Sequence, residues 1–224
     1  MKKTPLIITI LVIAFMALGF LLYKISPQPQ SALNLDYFDL SSAQNVEQPR
    51  PVDGQDHVLG NPEAKNMVVA YEDIQCPACR AFKPVLEQLP SALSDTKVVF
   101  RHFPLYPKPH QNSLAAAYAS EAAAAQGKFW EFTGLMYDRQ SDWSDLPDPV
   151  DKFAEIAKDA GVGNIDQFKK DILASKYKDK IEKDDLEGVG LGVHGTPTLF
   201  FNGHEIQTGD LDAIKKEVEP LYIK

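Results

Sequence analysis

The chain has 224 residues, with 23 Lys plus Arg against 31 Asp plus Glu, and a formal net charge of −8 at pH 7. Its 44% hydrophobic and 24% charged residues are typical of a globular protein and exclude a disordered chain or a disulfide-rich miniprotein. The acidity argues against a nucleic-acid partner, which would need a basic surface.

The N-terminal segment carries the strongest membrane signal. Two lysines precede an uncharged run at residues 4–23, and Lys24 follows it. Twenty helical residues span about 30 Å, the thickness of the hydrocarbon core of a bilayer, whereas the apolar stretch of a cleaved signal peptide is about 7–15 residues long. We therefore predict that residues 1–25 form an uncleaved signal anchor, a transmembrane helix with the lysine pair in the cytoplasm. A cleaved signal is the alternative.

Residues 26–56 are rich in Pro, Gln and Ser and contain few aliphatic side chains. This composition predicts an extracytoplasmic linker that proline stiffens locally. Whether Tyr37, Phe38 and Leu40 dock on the following domain is left open. The globular domain is expected over residues 57–224.

The first part of that domain has the pattern of a βαβ unit. The apolar run at residues 67–71 predicts a buried strand. Apolar side chains from Cys79 to Leu93 recur every three or four residues, which predicts a helix, and Pro84 predicts a kink within it. Residues 97–103 predict a second strand, so the two strands should pair in parallel through a right-handed crossover.

Residues 111–191 show no alternation typical of strands. Eight alanines at residues 115–125 favour a helix strongly. Further helices are predicted at about residues 148–160, 164–174 and 176–191, two of them ended by glycine. A helical insertion at about residues 111–191 follows from this pattern.

The C-terminal part returns to strands. Residues 198–201 and 205–208 flank Asn202-Gly203-His204, and Asn-Gly is the strongest short signal for a hairpin with a type I′ turn. Asp210 then precedes a final amphipathic helix, for which it is the expected N-cap.

Cys76-Pro77-Ala78-Cys79 allows three kinds of site: zinc, a structural disulfide or a redox pair. Structural zinc needs four ligands, but the chain has no second cysteine pair, and no two of its five histidines are three to five residues apart. No metal site is therefore predicted. A structural disulfide that closes so short a loop would stabilise the fold little.

The redox interpretation has positive support. Cys76 lies between a buried strand and a helix, where unpaired backbone N–H groups and the helix dipole stabilise a thiolate. Its pKa should therefore be below about 8.5. Cys79, one turn further on the apolar side, should be buried and less ionised. We expect Cys76 to form a mixed disulfide and Cys79 to resolve it.

Gly195-Thr196-Pro197-Thr198 is the second candidate motif. A proline just before a strand often marks a plain turn. The functional alternative is a cis peptide bond between Thr196 and Pro197 that faces the cysteine pair. The residues alone leave both open.

Together these motifs resemble the thioredoxin-like proteins of the DsbA type, which are exported bacterial thiol–disulfide oxidoreductases, several of them anchored in the membrane. The similarity covers about residues 57–222. It implies an α/β class, with a thioredoxin-like fold that contains a helical insertion and follows an N-terminal transmembrane helix. Further matching segments are Gly60-Asn61-Pro62-Glu63-Ala64, Pro84, Phe103-Pro104-Leu105 and Gly127-Lys128-Phe129-Trp130.

The resemblance also implies residue roles. Cys76 would be the exposed nucleophile and Cys79 the buried resolving thiol of a redox-active disulfide. Pro197 would be cis and lie against that disulfide, and the backbone of Thr196 would bind an extended substrate segment by adding a strand.

The sequence departs from the family pattern at two positions. Ala78 stands where DsbA has a histidine that helps to stabilise the thiolate, so an equally strong oxidant is not implied. Ala70 stands six residues before the first cysteine, where many relatives have a buried acid. Deprotonation of Cys79 would then depend on water, Glu72 or Asp73, unless these two acids face solvent or cap the helix.

The predicted function is a thiol–disulfide oxidoreductase in the cytoplasmic membrane, single-pass, with its catalytic domain outside the cytoplasm. It would oxidise free thiols of exported client proteins and, by family analogy, be reoxidised by a quinone-linked membrane oxidase. We expect a monomer without a cofactor. A reductase or isomerase of the same fold, and a non-catalytic chaperone or binding module, remain alternatives, and a cleaved anchor would give a secreted or periplasmic protein.

Overall fold

The computed structural model describes residues 35, 37–106 and 110–223. The predicted signal anchor at residues 1–25 lies outside these residues. Within the described part, no helix combines the length and the apolar character needed to cross a bilayer. The described strands are β1 His57–Leu59, β2 Asn66–Glu72, β3 Thr96–His102, β4 Thr198–Phe201 and β5 His204–Ile206.

The strands form one mixed sheet in the order β1-β3-β2-β4-β5. β2 and β3 pair in parallel, with Val68 opposite Val98, as the βαβ pattern predicts, and the other neighbours are antiparallel. Helices cover both faces of the central strands, which explains why these strands are continuous apolar runs. The edge strand β1 was not predicted, because three half-buried residues carry no readable period.

The predicted helical insertion is present and consists of five helices. Those predicted at residues 148–160, 164–174 and 176–191 begin and end within two residues of the prediction. The alanine-rich helix is buried on nearly every side, because its small side chains let neighbouring helices approach closely. The described helices are α1 Pro77–Ala92, α2 Ser113–Ala124, α3 Phe129–Asp138, α4 Val150–Asp159, α5 Ile165–Leu173, α6 Lys178–Gly190 and α7 Leu211–Val218.

Alternating side chains of β2 enter different parts of the core. Val68 and Ala70 pack with α1 and α7, whereas Val69 and Tyr71 face the opposite side of the sheet. Both cysteines belong to a third apolar cluster, which the sheet shares with the helical insertion. The insertion therefore forms one wall of the cysteine site.

The residues that precede β1 contact the domain. The N–H of Phe38 donates to the hydroxyl of Tyr106 at 3.1 Å, and Tyr37 stacks on the same ring with centroids 4.7 Å apart. Further along, the N–H of Val46 donates to the carbonyl of Gly190 at 3.0 Å. We refer to residues 37–56 as the docked segment. The aromatic docking that the sequence left open is thus present at Tyr37 and Phe38.

A buried ionic cluster fixes the end of the docked segment. The Arg101 guanidinium is fully buried and donates to Asp56 at 3.1 Å and to Glu187 at 2.8 Å. Arg50 donates to Glu187 at 2.5 Å and to Asp184 at 2.7 Å. Because every charge in this cluster faces an opposite one, the desolvation that burial demands is compensated.

The C-terminal hairpin agrees with its prediction. Asn202 and Gly203 have φ angles of 48° and 90°, the positive values that a type I′ turn requires. β5 begins at His204, one residue earlier than predicted. Asp210 caps α7 by accepting the N–H of Ala213 at 2.9 Å.

Candidate active site

Cys76 is the N-cap residue of α1, at the end of a tightly held turn. Its N–H donates to the carbonyl of Asp73 at 2.9 Å, and a carboxylate oxygen of Asp73 accepts the N–H of Gln75 at 2.8 Å. From the insertion, the Gln140 amide donates to the carbonyls of Ile74 and Cys76 at 2.9 and 3.2 Å. The position of Cys76 is therefore fixed from both sides.

The structure brings the two sequence motifs together. The Thr196–Pro197 peptide bond is cis, as the resemblance implied. The Sγ atom of Cys76 lies 3.3 Å from the carbonyl oxygen of Thr196, 120 residues further along the chain. Cys76, Cys79, Thr196 and Pro197 thus share one site.

The surroundings of Cys76 favour its thiolate. A hydrogen bond from the Cys79 thiol is the largest influence. Together with the Thr196 side chain and the backbone N–H groups of Cys79 and Ala78, it outweighs burial and lowers the pKa of Cys76 to about 5. The direction is the one expected for a cysteine at the start of a helix. At neutral pH the sulfur is an anion.

Cys79 has the opposite environment. Its exposed fraction is 0%, against 6% for Cys76. Burial, and then the neighbouring Cys76 and Glu72, raise the pKa of Cys79 well above its ordinary value of 9.0. The resemblance implied an exposed Cys76, but the structure leaves it only 6% exposed, because the insertion packs against the start of α1. The pair therefore combines an ionised sulfur with slight access to solvent and a protonated sulfur that has none.

Of the two acids that the sequence left open, Glu72 faces the cysteines. It is buried and accepts a hydrogen bond from the Tyr137 hydroxyl. Burial is the main reason why the pKa of Glu72 is raised to about 7, and the charge of Cys76 contributes. Glu72 lies two residues beyond Ala70, so both side chains are on the same face of β2.

Asp73 instead organises the loop around the site. Its second carboxylate oxygen accepts the N–H of Leu105 at 3.1 Å and pairs with Nδ1 of His110 at 2.5 Å. This hydrogen bond is the main reason why the pKa of His110 is raised, and the charge of Cys76 adds to it. His110 thus supplies an imidazole that responds to the Cys76 charge, although Ala78 leaves the family position without one.

An apolar groove runs beside the cysteine pair. It measures about 320 Å³. It is open to solvent and suits an extended segment of polypeptide with small or apolar side chains. The residues that line it are Ala78, Ala81, Phe82, Val85, Pro197, Thr208 and Gly209.

Comparison with known proteins identifies the family. The family model described as Thioredoxin matches residues 53–219, well over half of the chain. The chain belongs to the thioredoxin family. As a thioredoxin-family protein it superposes on oxidised BdbD from Bacillus subtilis with a TM-score of 0.68, 23% identity and coverage of 79% of this chain and 98% of that one. At that identity the match shows the fold alone.

Two further structures extend the comparison to the chemistry of the site. The thiol–disulfide exchange protein α-DsbA2 from Wolbachia pipientis is 26% identical with a TM-score of 0.63, covering 76% of this chain and 89% of that one. DsbG from Mycobacterium tuberculosis, a disulfide bond oxidoreductase, is 26% identical with a TM-score of 0.58. The match covers 75% of this chain and 87% of that one. With the cysteine geometry, these neighbours support disulfide exchange as the enzymatic activity of this thioredoxin-family chain.

Relatives with higher sequence identity are much longer proteins. Na⁺/H⁺ antiporter NhaA 1 from Mycolicibacterium gilvum is 34% identical over 198 residues, which cover 86% of this chain and 29% of that protein. Na⁺/H⁺ antiporter NhaA from Herminiimonas arsenicoxydans is 30% identical over 199 residues, which cover 88% of this chain and 29% of that protein. The chain spans less than a third of these relatives, so the antiport that names them describes the whole proteins.

Sequence reasoning missed several residues of the site. Tyr137 and Gln140 read as parts of the helical insertion, and only the folded chain brings them to the cysteines. His110 follows a proline-rich stretch of sequence and belongs to no motif of its own. For Glu72 a signal existed, because its spacing of two from Ala70 predicts the same face of the strand.

Proposed function

We propose that the chain is an extracytoplasmic oxidase of protein thiols, which transfers the Cys76–Cys79 disulfide to exported client proteins. The observation that carries this proposal is the contrast between the two sulfurs. Cys76 is held as an anion beside the cis-proline, and Cys79 is protonated and inaccessible. Neither zinc binding nor a structural disulfide needs such a contrast.

The reaction consists of two exchanges. A client thiolate attacks Sγ of Cys76, the bond between the two cysteines breaks, and Cys79 leaves with the electron pair and takes up a proton. A second client thiolate then attacks the client sulfur of the mixed disulfide, and Cys76 leaves as a thiolate. The client loses two electrons and two protons. The enzyme keeps both electrons and the proton on Cys79, and the other proton goes to solvent.

The oxidising direction follows from the stability of the product. The reduced enzyme carries Cys76 as a thiolate, and every interaction that lowers the pKa of Cys76 stabilises this reduced form. A stabilised reduced form means a higher reduction potential. The donors around Cys76 therefore favour electron transfer from client to enzyme, even with Ala78 in place of the family histidine.

Glu72 is the proposed source and acceptor of the Cys79 proton. With a pKa of about 7 it releases and binds protons near neutrality. Beside it lies a cavity of about 20 Å³, whose walls include Thr133 and Lys83. Oε1 of Glu72 and the hydroxyl of Thr133 have no hydrogen-bond partner within the described part of the chain. The cavity has room for one water molecule, which would bond to both oxygens and carry the proton towards Lys83.

Client binding is assigned to the groove beside Pro197. An extended client segment would pair with the backbone at Thr196, and its apolar side chains would fill the groove. Main-chain pairing recognises any extended sequence, which suits an enzyme with many unfolded substrates.

Membrane attachment and regeneration complete the proposal. The uncharged run at residues 4–23, flanked by lysines, supports an N-terminal anchor that places the domain outside the cytoplasm. By analogy with the DsbA type, a quinone-linked membrane oxidase would restore the disulfide of a monomeric enzyme.

Redox equilibration with glutathione tests the direction of electron flow. We expect an equilibrium constant on the oxidising side of thioredoxin, whose potential is about −270 mV. A value near that of thioredoxin would instead assign a reductase. In the same preparation, Cys79→Ala should accumulate mixed disulfides with a thiol peptide, and Cys76→Ser should form none. Absence of turnover in insulin reduction and in thiol oxidation would leave only a binding module.

A further inference from the structure

A second cluster of chemically capable side chains lies on different elements from the cysteine pair. His57 comes from β1, His102 from the end of β3 and Glu121 from α2. Both Nε2 atoms lie 2.8 Å from the same oxygen, Oε1 of Glu121. All three potential ligand atoms lie within 4.8 Å of one another. The redox chemistry of the cysteines uses none of them.

We propose that His57, His102 and Glu121 bind a divalent transition-metal ion, with Zn²⁺ as the best match. Imidazole nitrogen and carboxylate oxygen are ligands that zinc takes at about 2.0–2.2 Å. In a tetrahedral site such ligand atoms are about 3.3 Å apart. The two N–O separations of 2.8 Å therefore need to open by only about 0.5 Å.

The two imidazole rings are held in place by aromatic neighbours. The His57 ring stacks on Phe129, with centroids 3.5 Å apart and an angle of 13° between the planes. The rings of His102 and Phe100 pack in a T-shaped arrangement, with centroids 5.1 Å apart. Because the rings are already oriented, binding an ion would cost little side-chain entropy.

The ligand atoms already point at a common centre. Both Nε2 atoms face Oε1 of Glu121. An imidazole whose proton is on Nδ1 presents a free Nε2 lone pair to an ion, and a carboxylate oxygen does the same.

An ion can reach the cluster from solvent. The side chain of His57 is 14% exposed. It borders a cleft of about 380 Å³, whose walls include Asp56 and Trp130. Three protein ligands leave the fourth position of a tetrahedral zinc ion free for water, as in sites that exchange a ligand.

The bound ion would connect three parts of the fold. It would tie the short edge strand β1 to β3 and both strands to the helical insertion. Because the three ligands converge only in the folded chain, binding would stabilise the native state by mass action. Zn²⁺ should therefore raise the thermal unfolding midpoint.

The test is a titration of the metal-stripped full chain with ZnCl₂ by isothermal calorimetry. Cys76 and Cys79 are oxidised to the disulfide beforehand, so that no thiolate can bind the ion. We expect one ion per chain. His57→Ala and Glu121→Gln should each weaken binding by at least about tenfold, a loss that even partners of metal ligands produce. His204→Ala, which removes an exposed histidine from β5, should bind as the unaltered chain does.

Co²⁺ absorption provides a second readout that does not depend on affinity. Bound Co²⁺ should show the intense visible bands of low coordination, and His57→Ala should lose them while keeping its far-ultraviolet circular dichroism. Two results would overturn the proposal: no saturable binding by the oxidised chain, or equal binding by His57→Ala and His204→Ala. The latter would place the ion elsewhere.

Discussion

The ionisation of Cys76 can be measured directly. Its ordinary pKa is 9.0 and the site lowers it to about 5. At pH 7 an ordinary cysteine is almost fully protonated, so lowering its pKa from 9 to 7 adds almost no stability. Lowering it further, from 7 to about 5, raises the ratio of thiolate to thiol about a hundredfold. The site therefore stabilises the reduced enzyme at pH 7 by about 2.7 kcal/mol, or about 60 mV in reduction potential.

The sign of the pH dependence follows from the same values. A group whose folded pKa is depressed contributes stability that is complete above its unfolded pKa and is lost as pH falls through its folded pKa. The thiolate contribution of Cys76 is thus complete above about pH 9 and disappears as pH falls through about 5. The oxidised chain has no free thiol, so its stability lacks this component.

Thiolate absorbance at 240 nm provides the assay. The reduced chain should lose one thiolate with a midpoint near pH 5, and the oxidised chain, as the blank, should show no such step. Cys79→Ala should raise the midpoint, because it removes the largest donor, yet leave it below 9 because the backbone N–H groups remain. A midpoint at pH 8 or above in the unaltered chain would refute the reasoning.

Three further variants probe the fold. Glu72→Gln should stabilise the chain by about 3 kcal/mol at pH 8 and by almost nothing at pH 4.5 in urea unfolding, because only the unfolded carboxyl ionises freely between pH 4.5 and 7. Arg101→Met should cost about 3–5 kcal/mol, since Arg50 would then be the one guanidinium partner of the buried Asp56 and Glu187 carboxylates and negative charge would be in excess there. Lys169→Met, in an exposed pair, should cost at most about 1 kcal/mol. Gly190→Ala would place Cβ 2.1 Å from a carbonyl oxygen of the docked segment and should expose that segment to proteolysis, whereas Gly163→Ala meets no neighbour.

Each variant has an outcome that contradicts its rationale. A Glu72→Gln stability gain that is the same at both pH values would mean that the carboxyl is not protonated by burial. Equal losses in the free energy of unfolding for Arg101→Met and Lys169→Met would mean that the buried ionic cluster does not stabilise the fold more than an exposed ion pair does. If Gly190→Ala leaves the protease pattern unchanged, the docked segment is not held at that point.

The sequence predicted the regular elements because their patterns are local. The strands at residues 67–71 and 97–103 and the helices of the insertion depend on periodicity, and they appear at the predicted places. The docked segment could not be predicted, since its contacts with Tyr106 and Gly190 join residues far apart in the chain. The anchor at residues 1–25 stays a prediction.

The same division applies to the sites. The residues alone left the role of Thr196-Pro197 open, and it was the family resemblance that implied its contact with Cys76. Glu72 was named as a candidate acid, but its burial and its partner Tyr137 appear only in the folded chain. The spacing of cysteines and histidines argued against a metal site, because such spacing detects only ligands that lie close together along the chain. Three ligands on two strands and a helix have no such spacing.

The burial of Cys79 limits which sulfur atom other molecules can reach. A client, a regenerating partner or a small oxidant can touch only Cys76 from outside, since Cys79 has no exposed surface. Any outside molecule that forms a disulfide with this site must therefore bond to Sγ of Cys76, and two such molecules cannot be bound at the same time. If the proposed exchange takes place, the domain must release one covalently bound partner before it can bind the next, in either direction of electron flow.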